Sequence, residues 1–150
     1  MTRALRVLAR EERGTTLVLT VFYLFLAVGV ILAVVAATSL YLERKRLFSL
    51  ADSAALVGAE AFTLNDVGLT ENGPRATLHS DAIRSAVQGY LDQNPSASLE
   101  NVVLERADTA DGRSATVALS AYWHPPMVTV FLPDGLRLDV TVVARSVFTG

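Results

Sequence analysis

The chain contains no cysteine among its 150 residues, which excludes disulfides, thiolate metal centres and cysteine nucleophiles. It has two histidines, His79 and His124, and neither stands at a ligand spacing from another donor. A metal centre needs three or four converging ligands. No Gly-x-Ser-x-Gly elbow and no phosphate-cradling glycine loop is present. Asp108-Thr109-Ala110-Asp111-Gly112 has two carboxylates and a glycine but lacks the twelve-residue calcium pattern with its closing glutamate, and it reads as a hairpin turn. These absences point away from catalysis, from a metal and from any cofactor. The expectation is a protein that is not an enzyme and takes no small-molecule substrate.

Charge is also missing, over one long stretch. From Gly14 to Leu42, 29 residues pass without a charged side chain. A bilayer core about 30 Å thick needs roughly 20 apolar helical residues, so this run is long enough to cross one. Residues 1–46 hold seven basic and three acidic residues, a net of +4, whereas residues 47–150 hold six basic and twelve acidic, a net of −6. An acidic domain repels a phosphate backbone, which excludes nucleic acid as a partner. Basic residues beside an apolar run are the usual contact with lipid headgroups and the usual determinant of topology. Arg3, Arg6, Arg10 and Arg13 precede the run; Arg44, Lys45 and Arg46 follow it. Four against three gives topology only a weak sign. The expected arrangement is a cytoplasmic N-terminus and an extracytoplasmic domain on a single-pass cell-membrane protein.

Three readings of residues 1–46 stand open. The first is a cleaved secretory signal, with Val34-Val35-Ala36 or Val35-Ala36-Ala37 as the small-residue site, although the apolar stretch exceeds the usual 7–15 residues or so. The second is an uncleaved anchor. The third is a pilin-like segment with a leader cut between Gly14 and Thr15, in Arg13-Gly14-Thr15-Thr16-Leu17. Pilin-type segments usually carry a glutamate five residues after the cut, where this chain has Leu19.

The expected organisation is a basic segment or leader at 1–14, a transmembrane helix at 15–42, a juxtamembrane Ala-rich helix at 43–64, and a small α+β domain at 65–150. Leu47, Leu50, Ala51, Ala54, Gly58, Ala61 and Phe62 recur at helical spacing, so the helix continues past the membrane. Ala51, Ala55 and Ala59 fall four apart, as do Ala54 and Gly58. Such ridges let another backbone approach closely, either the chain's own domain or a partner's helix. The partner reading makes Ala51, Asp52, Ala55, Gly58 and Ala59 an interface. It expects Gly58→Leu to break complex formation while the domain stays folded.

Residues 65–74 read as loop, and Ser80 as the cap of a helix with the apolar face Ile83, Ala86, Val87, Tyr90 and Leu91, stopped at Asn94-Pro95. Residues 101–107 read as a strand, as does the alternation of Ala115, Val117, Leu119 and Ala121. In the last strand Leu136, Leu138, Val140, Val142, Ala144 and Phe148 share one face. The expected fold is α+β: a long N-terminal transmembrane helix continuing outside the membrane, then a small helix packed on a three-stranded antiparallel sheet. The apolar run Met127–Leu132 reads either as core or as an exposed edge that extends a partner's sheet.

Glu12-Arg13-Gly14, the apolar helix, Tyr41-Leu42-Glu43-Arg44-Lys45-Arg46-Leu47 and Leu50-Ala51-Asp52-Ser53-Ala54-Ala55-Leu56-Val57-Gly58-Ala59 resemble the TadE/TadG-like Flp (tight-adherence) pilus-assembly proteins, especially the high-GC Gram-positive type. The ending Val140-Thr141-Val142-Val143-Ala144-Arg145-Ser146 is similar too. Family members often carry an aspartate late in the span, where this chain has Ala36-Ala37-Thr38-Ser39. The resemblance implies a non-enzymatic pilus-assembly factor or minor pilin-like subunit, with the lipid bilayer, other pilus or pseudopilin subunits and the assembly machinery as partners. The alternative is an anchored extracytoplasmic module that binds a ligand or protein and is unrelated to pili.

Overall fold

A computed structural model describes residues 2–70, 73–95, 99–124 and 135–145, with the backbone alone for 2–14 and Glu100. The chain forms two compact units, Met1–Thr38 and Ser39–Gly150. The expected apolar segment Met127–Leu132, the turn residues Pro133 and Asp134, and Ser146 and Phe148 lie outside the described residues.

The first unit is helical. It belongs to α1 (Thr2–Ala59), whose large side chains from Leu17 to Val35 are all exposed. Helix formation satisfies the backbone internally, which a hydrocarbon surrounding demands. The hydroxyls follow the same rule: Thr20 donates to Thr16 O at 2.8 Å and Thr38 to Val34 O at 2.9 Å.

The second unit starts with the rest of α1. Its elements are the 3₁₀ turn Leu64–Asp66, β1 (Val67–Thr70), β2 (Gly73–Ala76), α2 (Ser80–Gln93), β3 (Glu100–Asp108), β4 (Ser114–Trp123) and β5 (Leu136–Arg145). The main sheet has the order β3-β4-β5, antiparallel throughout. On β4, Ala115, Val117, Leu119, Ala121 and Trp123 face the core, and on β5 Leu138, Val140, Val142 and Ala144 do. The register matches those sets, with Val117 opposite Val142 and Leu119 opposite Val140. In β3 an irregularity between Leu104 and Arg106 shifts the alternation, so that Leu104 lies opposite Leu119 and Ala107 opposite Val117. The alternating pattern of the sequence is thus the pattern of one buried face.

That face is covered by α2, as expected, and by α1 as well. α2 contributes Ile83 and Val87, but α1 contributes Leu47, Ala51, Ala54, Ala55 and Ala59, all buried. α1 runs antiparallel to β4. Gly58 sits against Ala115 at one end, and Ser39 accepts a hydrogen bond from Trp123 Nε1 at the other. The spacing is self-consistent: 19 helical residues rise about 29 Å and eight strand residues about 27 Å. Small residues are what allow a helix to lie that close to a sheet and a second helix at once.

Three local features also depart from the sequence reading. α1 ends at Ala59 rather than near 64, and the chain turns through Thr63–Asp66, where Asp66 Oδ2 accepts from the Thr63 N–H at 2.8 Å and from its hydroxyl at 2.7 Å. Residues 67–70 and 73–76 pair as antiparallel strands rather than forming a loop, with Gly73 at φ +104° and the Thr70 hydroxyl donating to Gly73 O at 2.7 Å. Gly68, Gly73 and Pro74 hide that pairing from any alternation test. Ser80 does not cap α2, since His79 holds that position. The Ser80 hydroxyl instead accepts the Thr109 N–H at 3.2 Å, tying the β3–β4 turn to the helix.

Candidate functional site

The residues singled out in sequence separate into three places. Gly14 and Thr15 lie within α1, with Thr15 exposed. Ala51, Ala55, Gly58 and Ala59 come together, but in the core of their own domain: Ala51 and Ala55 are 0% exposed and Ala59 is 2%. A Cβ at Gly58 would stand 3.0 Å from Ile83 Cγ2, 3.2 Å from Ala115 Cβ and 3.3 Å from Val87 Cγ2. The stripe therefore packs against α2 and the sheet of the same chain. Asp52 is separate, exposed on the other side of the helix.

What α1 does present outward is a second ridge. Tyr41, Lys45, Phe48, Asp52 and Leu56 recur at intervals of three and four, and all five are exposed. Phe48 is 51% and Leu56 54% exposed, two large apolar side chains on one ridge of the folded unit. The signal was in the sequence, at helical spacing, but the denser small-residue stripe one third of a turn away masks it.

The outer face of the sheet carries a set of linked polar side chains. Glu105 Oε1 accepts from the Ser120 hydroxyl at 2.7 Å and from Arg137 at 2.8 Å, and Arg137 also reaches Asp139 Oδ1 at 3.0 Å. The carboxylates beside Arg137 hold its guanidinium charge more firmly, Asp139 first and then Glu105. This is an ion-pair network with no substrate-sized concavity. A groove of about 270 Å³ lies among α1, α2 and β3, lined by Leu50, Leu91, Leu99 and Leu104 with Gln88 and Asp92. That is at or below the small end of ligand pockets, which run from about 300 Å³ upward.

The Asp108–Gly112 segment is the turn read from the sequence. Asp111 Oδ1 accepts the N–H groups of Arg113 at 2.9 Å and Ser114 at 2.8 Å, and Oδ2 accepts the Ser114 hydroxyl at 2.7 Å. Those bonds, the Ser114 hydroxyl first, hold the carboxyl below its ordinary range. A carboxylate committed to its own turn is not offering its oxygens to calcium. Among the described residues no cluster of three metal-ligating side chains occurs.

The fold and surfaces define a class: a helix from Thr15 to Ala59, long and apolar enough to cross a membrane, that continues into a small α+β domain as its central helix. Within that class the chain is similar to one family. Residues 14–61, about a third of the chain, match the Tad family, described as Flp pilus-assembly TadE/G-like. The match supports a role related to Flp pilus assembly. No curated protein and no solved structure matches the chain.

Proposed function

We propose that this protein is a non-enzymatic, single-pass, membrane-anchored component of a Flp/Tad-type system, either an assembly factor or a minor pilin-like subunit. Its N-terminus is cytoplasmic and its α+β domain extracytoplasmic. The reading is carried by the TadE/G-like match over residues 14–61, which coincides with the apolar helix and its domain-facing continuation. Because the small-residue stripe is occupied internally, the surface for pilus partners is the outer ridge with Phe48 and Leu56.

Two measurements on the native membrane-extracted protein test it. Co-purification with Flp-system components is expected, and its absence in cells that assemble the pilus overturns the reading. Intact mass with N-terminal sequencing then separates the two forms of it. A start at Thr15 means pilin-type processing despite Leu19, and a start at Met1 or Thr2 means a permanent anchor acting from the membrane. A start near Ala37 means a released domain and removes the anchor.

A further inference from the structure

Three observations meet at one end of the folded unit. The uncharged run ends at Leu42, and Glu43 opens the charged cluster that follows. The folded unit begins at Ser39, so its first four residues lie inside the uncharged run. Trp123 Nε1 donates to Ser39 Oγ at 3.2 Å, which sets the last residue of β4 at the height of Ser39 on α1. At 1.5 Å per helical residue, Ser39 is about 6 Å short of Glu43 along the axis. The Trp123 end of the sheet thus sits on the apolar side of the first charged turn.

The side chains at this height suit a lipid interface. Tyr41 is 66%, Leu42 46% and Leu136 42% exposed, and Leu136 is the cross-strand partner of Trp123. Tyr122, the neighbour of Trp123, is exposed on the other face of the sheet. Tyr and Trp favour the headgroup layer, where an amphipathic ring has both an apolar and a wet side. One turn above stand Arg44 and Lys45, exposed, with stems long enough to reach phosphates while covering apolar surface. Arg46 is engaged by Glu43 at 3.3 Å, and Arg137 by Glu105 and Asp139.

We propose that this end of the folded unit is a second lipid contact: the exposed Tyr41, Leu42, Tyr122 and Leu136 lie in the headgroup layer of the bilayer that α1 crosses, with the buried Trp123 directly behind them. The occupant follows from continuity, since the surface adjoins the anchor within the same uncharged run. The contact fixes the domain's height and tilt over the membrane and leaves the opposite end, with Leu64 and Leu69, facing water. The proposal rests on the anchor reading of α1.

Trp123 is the sole tryptophan and the chain lacks cysteine, so depth can be read without background. The full chain is reconstituted in vesicles of phosphatidylcholine and phosphatidylglycerol, with phosphatidylcholine brominated either near the headgroup or near the acyl-chain end. Flotation with the vesicles checks the anchor. The expected result is loss of Trp123 emission with the shallow bromines and little loss with the deep ones. Nitroxide-labelled Leu136→Cys, read against Leu64→Cys, should collide with oxygen more than with a water-soluble nickel chelate, and the Leu64 position the reverse. Flotation with unquenched Trp123 and equal accessibility at both labels overturns the lipid contact and leaves the anchor standing. Failure to float overturns both.

Discussion

Gly58 is the position at which the packing of the whole domain can be tested with one atom. It lies in α1 where α2 and β4 both close in, and an added Cβ would meet Ile83 Cγ2 at 3.0 Å, Ala115 Cβ at 3.2 Å and Val87 Cγ2 at 3.3 Å. Two effects oppose each other in Gly58→Ala. The helix gains about 1 kcal/mol from losing glycine's backbone freedom. Overpacking a filled core costs about 1–3 kcal/mol. The net is a loss of about 1 kcal/mol, or about 4 °C in Tm for a domain near 100 residues. Gly58→Leu adds three further carbons with no room for them, and a loss beyond about 3 kcal/mol follows, at the upper end of overpacking costs.

The assay is thermal unfolding of the full chain in detergent, followed by near-ultraviolet circular dichroism of Trp123, which reports the domain and not the apolar helix. Ile83→Leu supplies the control, because leucine lacks the β-branch methyl that makes the closest contact and keeps the volume. Alone it costs under about 1.5 kcal/mol. Combined with Gly58→Ala it should recover about 1 kcal/mol relative to additivity, as touching residues do. Strict additivity refutes the contact. A Gly58→Leu chain that unfolds at the unaltered temperature yet loses its pilus partners refutes the buried-stripe assignment altogether and returns the residue to a partner interface.

Gly135→Ala should destabilise the domain by more than about 2 kcal/mol, since the left-handed backbone itself costs an L-residue about 1–2 kcal/mol. Gly135 has φ +68°, and its Cβ would stand 2.9 Å from the Trp123 carbonyl oxygen. Gly112→Asn, with φ +66° and 3.7 Å of clearance to Thr77, should shift Tm little in the same assay. The Asp66 and Asp111 carboxyls are both held below their ordinary value, Asp66 chiefly by the Thr63 N–H and hydroxyl and then by His79, and Asp111 chiefly by Ser114. A depressed carboxyl pKa stabilises the fold above the unfolded value of about 4 and loses that contribution as pH falls through the folded value. Asp66→Asn with Asp111→Asn should therefore flatten the fall of Tm on acidification below about pH 4, and an unchanged acid slope counts against these bonds. Phe48→Glu and Leu56→Glu, both on the exposed ridge, should leave Tm within about 0.5 kcal/mol of the unaltered chain, as surface changes do, while abolishing co-purification with pilus components. Retained co-purification moves the interface elsewhere.

Those outcomes bear on how much of the molecule could be read before it was seen. The apolar span, α2 from Ser80 to Gln93, and the buried faces of β4 and β5 were legible because each obeys one period over at least ten residues. The β1–β2 hairpin was not, since Gly68, Gly73 and Pro74 occupy its alternating positions and its pairing is fixed by a glycine φ that no periodicity records. α1 ends five residues before the expected 64 because Ala61 and Phe62 keep the helical spacing although the backbone has already left the helix after Ala59. Ser80 sat one residue inside the cap it was expected to form. The small-residue stripe was seen, but sequence alone leaves its occupant open. A partner helix and the chain's own sheet make the same demand on Ala51, Ala55, Gly58 and Ala59, namely the absence of side-chain bulk.

That ambiguity has a physical resolution. In lipid, a helix gains nothing from hiding apolar surface, so small residues there report helix–helix approach. Beside water, by contrast, burying Leu47, Ala54 and the sheet's valines is worth roughly 25 cal/mol per Å² removed from solvent. Among the described residues the 14-residue α2 is the one helix besides α1 that covers the three-stranded sheet, whose apolar face needs a second layer. α1 therefore has to serve as the second cover. It can lie on the sheet and against α2 together only where its side chains are no larger than alanine. The TadE/G-like match ends at residue 61, two residues beyond the last turn of α1, where that demand also ends. Ala51, Ala54, Ala55, Gly58 and Ala59 are thus the joint that seats α1 on the sheet of its own domain. Phe48 and Leu56, about a third of a turn away, stay exposed beside it.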